Sequence, residues 1–239
     1  MFLTIIFLPL VGSVISGFMG RKIGITGSHL ITCSCLIMSS LLSTIGFYFI
    51  GICNDPIYIN LGNWIQTDYL TISWEFLIDQ LTVSMFIPVL FISSLIHIFS
   101  IDYMKDDPHN QRFFSYLSLF TFFMLILVSG ANYFVMFVGW EGIGVVSYLL
   151  INFWFTRIQA NKSAILALNV NRVGALWNGI SQLSLKLSNS GDTLKFLIPN
   201  YSRKTISGWN NYSCMVITHK MIENEMGYRG SKSNLYLNL

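Results

Sequence analysis

The chain has 239 residues, room for one or two domains, yet only 10% of them are charged, against roughly 25% in an ordinary soluble domain. Hydrophobic residues make up 53%, which excludes a water-exposed globule as the main architecture and points to lipid as the solvent. The net charge of +3 is uneven: residues 1–174 hold seven Lys and Arg against eight Asp and Glu, and residues 175–239 hold seven against three.

Residues 2–19 form the first apolar stretch. No positive residue precedes its apolar core, no small-residue cleavage site leads from it into a soluble domain, and it is not Arg-rich, so it reads as a retained span. Windows near the ~20 residues that cross a bilayer as a helix follow at 30–53, 81–101, 113–131 and 132–155. Gly130, Ala131 and Asn132 leave room only for a tight helical hairpin between the last two. A sixth apolar-leaning stretch starts near Ser163. The expected fold is all-α and integral to the membrane, with five transmembrane helices and the start of a sixth.

Arg21 and Lys22 follow the first span, Lys105 and Arg112 the third, Arg157 and Lys162 the fifth. Residues 54–80, after the second span, carry Asp55, Asp68, Glu75 and Asp79 and no Lys or Arg. All the loop cations thus fall on one side, so the basic loops face the matrix or cytoplasm and the amino terminus lies outside. In the acidic outer loop, residues 57–61 and 70–76 flank Gly62 and Asn63, and Leu70, Ile72, Trp74 and Phe76 alternate with polar residues. That period predicts a short β-hairpin at the membrane surface. The alternative is a loop anchored at the headgroups by Trp64 and Trp74.

Cys33, Cys35, Cys53 and Cys214 lack the spacing and the His partners of a metal site and read as small thiols, a disulfide or metal role being the alternative. Glu141 is the residue that stands out. It lies nine residues from one end of its window and fourteen from the other, roughly 14 Å into the bilayer core at 1.5 Å per residue. A carboxylate at that depth must be neutral, paired or wet. Gly139, Gly142 and Gly144 beside it let another helix or a file of water approach. A neutral glutamate hydrogen-bonded to a neighbouring helix is the structural alternative to a proton-carrying one. His97, near the end of the third span, is either a proton relay or a hydrogen-bonded packing residue. Arg172 falls about nine residues into the sixth stretch, where a buried guanidinium needs a partner.

The run Gly139-Trp140-Glu141-Gly142-Ile143-Gly144, then Ser147-Tyr148-Leu149-Leu150-Ile151, Trp154, Arg157, Ala160-Asn161 and Asn171-Arg172-Val173-Gly174 resembles chain 5 of mitochondrial respiratory complex I. Ile78-Asp79-Gln80-Leu81, His97 and Tyr103-Met104 extend the likeness, so that it covers residues 1–174. The resemblance implies a mitochondrially encoded, antiporter-like subunit of the inner-membrane arm. There Glu141 would belong to a proton path with a lysine on a later helix, and Arg172 and His97 are the further candidates. It also implies that NADH, flavin, iron-sulfur clusters and ubiquinone are bound by other subunits, that the partners are membrane-arm subunits and lipid, and that this chain alone holds no complete active site.

At residue 175 the family pattern of an aspartate and an apolar helix gives way to Ala175-Leu176-Trp177-Asn178-Gly179, so Arg172 loses an acidic neighbour three positions on. Residues 175–239 are expected to form a second, polar and basic region with little fixed structure. Within it residues 224–233 resemble the region preceding the catalytic part of intron-encoded LAGLIDADG homing endonucleases, although the LAGLIDADG helix does not occur. Two further readings follow: a leader for such an endonuclease, touching nucleic acid only if that domain exists downstream, and an inert product of unspliced message.

Overall fold

The computed structural model describes residues 1–52, 55–66 and 71–189, apart from the side chains of 71 and 178–189. The chain divides into two compact units, 1–168 and 169–239. In the first, α1 (Phe2–Phe18) and α2 (Gly20–Gly46), the latter continued by a π-helical turn (Phe47–Ile52), precede a hairpin of β1 (Ile57–Gln66) and β2 (Thr71–Ile78). Helices α3 (Gln80–Tyr103), α4 (Asn110–Ser129) and α5 (Tyr133–Ile151) follow, and α6 (Ile158–Asn189) runs on past residue 174.

Among the described residues four helices are long and apolar enough to cross a membrane: α2 with its π-helical turn, α3, α4, and α5 with the short 3-10 turn after it. The apolar α1 has 17 residues, about 26 Å at 1.5 Å each, the short end of the spanning range. The expected helical membrane fold is therefore present. Helix α2 begins ten residues before its apolar window because a short turn from Gly20 joins it across a kink at Gly24, whose φ of 83° only glycine adopts freely. The capping box of α3 sharpens its start: the Asp79 carboxylate accepts from the Thr82 amide at 2.8 Å, and the Thr82 hydroxyl accepts from the Asp79 amide at 2.8 Å.

Helix α4 is the hub, packed on α1, α2, α3 and α5. The buried helix faces are unusually hydroxylic: Ser13 and Ser16 on α1, Thr32, Ser39 and Ser43 on α2, Ser94 and Ser100 on α3. Large apolar side chains such as Leu30, Phe91 and Phe99 point outward instead. Lipid removes the hydrophobic drive for burying them, so the helices meet through small residues that permit close approach. Each of these hydroxyls bonds back to a carbonyl three or four residues earlier, Thr32 to two of them. Across helices, Ser115 of α4 donates to the Ser13 carbonyl of α1 at 2.8 Å, and Gly12 lets Cys35 pack on α1. Cys33 is buried and neither Cys33 nor Cys35 is bridged; Cys53 and Cys214 lie outside the described residues.

The antiparallel hairpin forms where the alternation places it, but Gly62 and Asn63 do not make its turn. They lie inside β1 at a register shift, where Gly62 takes a φ of 146°, the signature of a bulge. The connection falls at 67–70, outside the described residues, as does the Leu70 end of the predicted alternation. Ile72, Phe76 and Ile78 point inward and are buried, while Trp64 and Trp74 meet edge to face at 5.1 Å. The hairpin is tied to the α4–α5 connection by a bridge between Phe76 and Gly130 and by the Ala131 amide donating to the Glu75 carbonyl at 3.1 Å.

The second unit holds most of α6. Residues 175–189, expected as the start of a poorly structured region, continue the helix; Leu176, Leu183, Leu185 and Leu187 are good helix formers that an average over 65 polar residues had hidden. The expectation for 190–239 lies outside the described residues.

Candidate functional site

Glu141 sits eight residues after the start of α5 and ten before its end, so about 12 Å and 15 Å from the two termini. Val135, Gly139, Gly142 and Val146, spaced i, i+4, i+7 and i+11, make the α5 face that meets α4. The approach is close because these glycines have no Cβ. One built on Gly139 would lie 2.7 Å from the Leu127 backbone nitrogen, and one on Gly142 would lie 2.3 Å from the Phe123 ring. At 100° per residue Glu141 lies about 130° away from that face. Exposed Phe137 and Val145 share its side. Glu141 is half-buried and has no hydrogen-bonding or ionic partner among the described residues.

His97 is fully buried on α3. Its Nδ1 is 2.8 Å from the Ser93 carbonyl, which can only accept, so Nδ1 carries the proton. Its Nε2, 3.1 Å from the Ser118 hydroxyl of α4, is then the basic nitrogen of the neutral ring. Helix α4 stands between α3 and α5, so the structure does not bring His97 and Glu141 together. Arg172 is exposed on α6, in the second unit.

Two polar groups escaped the sequence reading. His29 is buried on α2, with Nε2 2.8 Å from Asn110 Oδ1, and the Asn110 amide donates to the Met104 carbonyl at 2.9 Å. His29 had stood one residue outside the apolar window, and Asn110 inside a polar loop. The other is Glu75, whose carboxylate accepts from Tyr58, Ser73, Asn60 at 3.3 Å and Asn132 at 3.2 Å. Asn132 also donates to the Ser73 carbonyl at 3.0 Å, so this group pins the hairpin to the residue that opens α5.

A bundle of membrane-length helices with one carboxylate half-way along a glycine-bearing span defines a polytopic membrane protein with an intramembrane acid. Residues 64–114 match the family described as NADH-ubiquinone oxidoreductase (complex I), chain 5 N-terminus, and residues 130–218 match NADH:quinone oxidoreductase/Mrp antiporter, TM. NADH-ubiquinone oxidoreductase chain 5 of Mycosarcoma maydis is 63% identical over 180 residues, covering 75% of this chain and 27% of its own. That of Rhizopus stolonifer is 62% identical over 174 residues (73% and 27%), and that of Talaromyces marneffei 57% over 210 residues (87% and 32%). What the chain carries over its matched residues is a complex I chain 5 N-terminal region.

The chain thus spans between about a quarter and a third of the length of these relatives. In fold it is similar to a chain of the membrane-bound sulfane sulfur reductase, an archaeal respiratory membrane complex, with a TM-score of 0.63 at 16% identity over 73% of this chain and 34% of that one. His97 lies within the first family match, Glu141 and Arg172 within the second. The second match runs on past residue 174 to 218, and these matches give the endonuclease reading of the carboxyl-terminal region no support.

Proposed function

We propose that the chain provides the amino-terminal helices of a membrane-arm subunit of a proton-translocating NADH:quinone oxidoreductase in the mitochondrial inner membrane, and that Glu141 carries protons there. The observation that supports this reading is the position of Glu141. It lies near the middle of a membrane-length helix, inside the match to the NADH:quinone oxidoreductase/Mrp antiporter family, on the side of α5 turned away from α4. A carboxylate so placed is costly unless it is neutral, paired or hydrated, and a group that alternates between those conditions can pass a proton on. In the chain 5 pattern its counterpart is a lysine on a later helix. Approach of that ammonium favours the ionised carboxylate, and its withdrawal favours the protonated one.

The Glu75–Asn132 group holds the start of α5 against the hairpin and so fixes the depth of Glu141. NADH, flavin, iron-sulfur clusters and ubiquinone would be bound by other subunits, and neighbouring membrane-arm subunits would cover the open side of α5. The test is Glu141→Gln in the assembled complex, which keeps the shape and removes the titrating acid. Proton translocation per NADH oxidised should fall while the complex still assembles; an unchanged ratio in an assembled complex would sink the proton role.

A further inference from the structure

At the basic end of the bundle, α2, the end of α3, the α3–α4 connection and α4 line an open cavity of about 320 Å³, with Thr26, His29, Asp102, Lys105 and Asn110 together with Ile25 and Ile101 on its walls. His29 is the buried group at its inner wall. Because Asn110 spends its amide on the Met104 carbonyl, its Oδ1 faces His29 as an acceptor, and His29 must donate from Nε2. The basic nitrogen of the neutral His29 ring is therefore Nδ1, which forms none of these bonds.

One turn deeper, the Phe114 ring packs against both histidines, with centroids 4.4 Å from His29 and 5.9 Å from His97. Beyond it lie His97, its basic Nε2 on Ser118, and Ser93, whose buried hydroxyl has no hydrogen-bond partner among the described residues. Buried polar atoms are nearly always hydrogen-bonded to protein or to ordered water, so this hydroxyl offers a partner to a water. Further toward the outer face the described residues of these three helices bury no histidine, carboxylate or amine: Leu36, Phe86, Leu90, Phe122 and Leu125 are joined there by the hydroxyls of Ser39, Ser43, Thr121 and Ser129, each donating to a carbonyl of its own helix. The buried histidines thus run from the basic face to mid-depth and stop there.

We infer that the α2–α3–α4 interface is a proton-uptake branch open to the basic face, with His29 as the acceptor at the cavity, Phe114 as the gate and His97 as the inner acceptor. A proton taken up on His29 Nδ1 makes the ring an imidazolium. A swing of Phe114 lets water bridge to His97 Nε2, where Ser118 rotates its hydroxyl away, and the proton transfers with His29 returning to neutral. No other atom changes hands. The inference rests on the proposed proton-translocating function, and with no buried histidine, carboxylate or amine among the described residues toward the outer face the proton leaves sideways toward the rest of the subunit.

The test compares His29→Gln, His97→Asn and Glu141→Gln in the assembled complex, reconstituted in liposomes, reading protons translocated per NADH oxidised. Gln places an amide where His29 Nε2 donates, and Asn places one where His97 Nδ1 donates, so both keep the hydrogen bonds and lose the basic nitrogen. The expected result is a loss in both variants as large as that of Glu141→Gln. A wild-type ratio in both, with Glu141→Gln deficient, overturns the branch and leaves the function reading standing; a wild-type ratio in all three overturns both. Thr26→Cys on the exposed cavity rim serves if the histidine variants do not assemble. A bulky thiol reagent should cut its pumping relative to equally treated wild type, and equal pumping overturns the branch.

Discussion

Replacing Gly139 by alanine sets a methyl group 2.7 Å from the backbone nitrogen of Leu127 and 2.8 Å from its Cα. Carbon atoms in contact sit at about 3.5–4.0 Å, so α4 and α5 must part by something on the order of 1 Å, since neither backbone atom can move without its helix. A gap of 0.5–1 Å forfeits roughly a quarter to a half of each contact along the seam, and overpacking of this kind costs about 1–3 kcal/mol. Gly142→Ala is the control. Its methyl group meets only the ring of Phe123, a half-buried side chain that can turn aside, so it should cost less. Thermal denaturation of the purified protein in detergent, with native electrophoresis of the assembled complex, reads the ranking. A Gly139→Ala protein as stable as wild type, or less affected than Gly142→Ala, would refute the account of how α5 is seated.

Asn132→Ala should loosen the hairpin at the start of α5 by removing two hydrogen bonds, a loss of about 1–3 kcal/mol, visible as faster proteolysis between residues 55 and 79. Unchanged cleavage would mean the hairpin is held elsewhere. Asp79→Ala removes one half of the α3 capping box and should cost about 1 kcal/mol, whereas Asp79→Ser, another good cap, should restore most of it. Phe76→Ala empties a fully buried position where the hairpin meets the helices and should cost about 3–5 kcal/mol, the largest stability loss of the set. Denaturation midpoints rank these variants directly.

The helices were legible because lipid imposes a length and a composition that a single sequence displays. Hairpin existence was legible from β-branched alternation, but not its turn. Gly62 and Asn63 look like a turn locally, and only pairing with β2 shows that the glycine absorbs a bulge. The placement of Glu141 near the middle of a membrane-length helix was legible from the apolar window alone. The His29–Asn110 pair and the Glu75 cluster were not, because each joins residues far apart in sequence whose polarity reads locally as loop or strand surface. His97 was legible as a candidate, and its partners Ser93 and Ser118 became visible only when α3 and α4 were brought together. The helix through 175–189 was missed because composition averaged over a long segment masks one good helical stretch.

Glu141 is proposed to be a proton-carrying acid on a helix seated by its glycine face. Reconstitution of the assembled complex carrying Glu141→Gln, with protons translocated and NADH oxidised measured in the same vesicles, tests it most directly. A normal amount of assembled complex with a reduced ratio is the predicted result, and the wild-type ratio in that same assembled complex would contradict it.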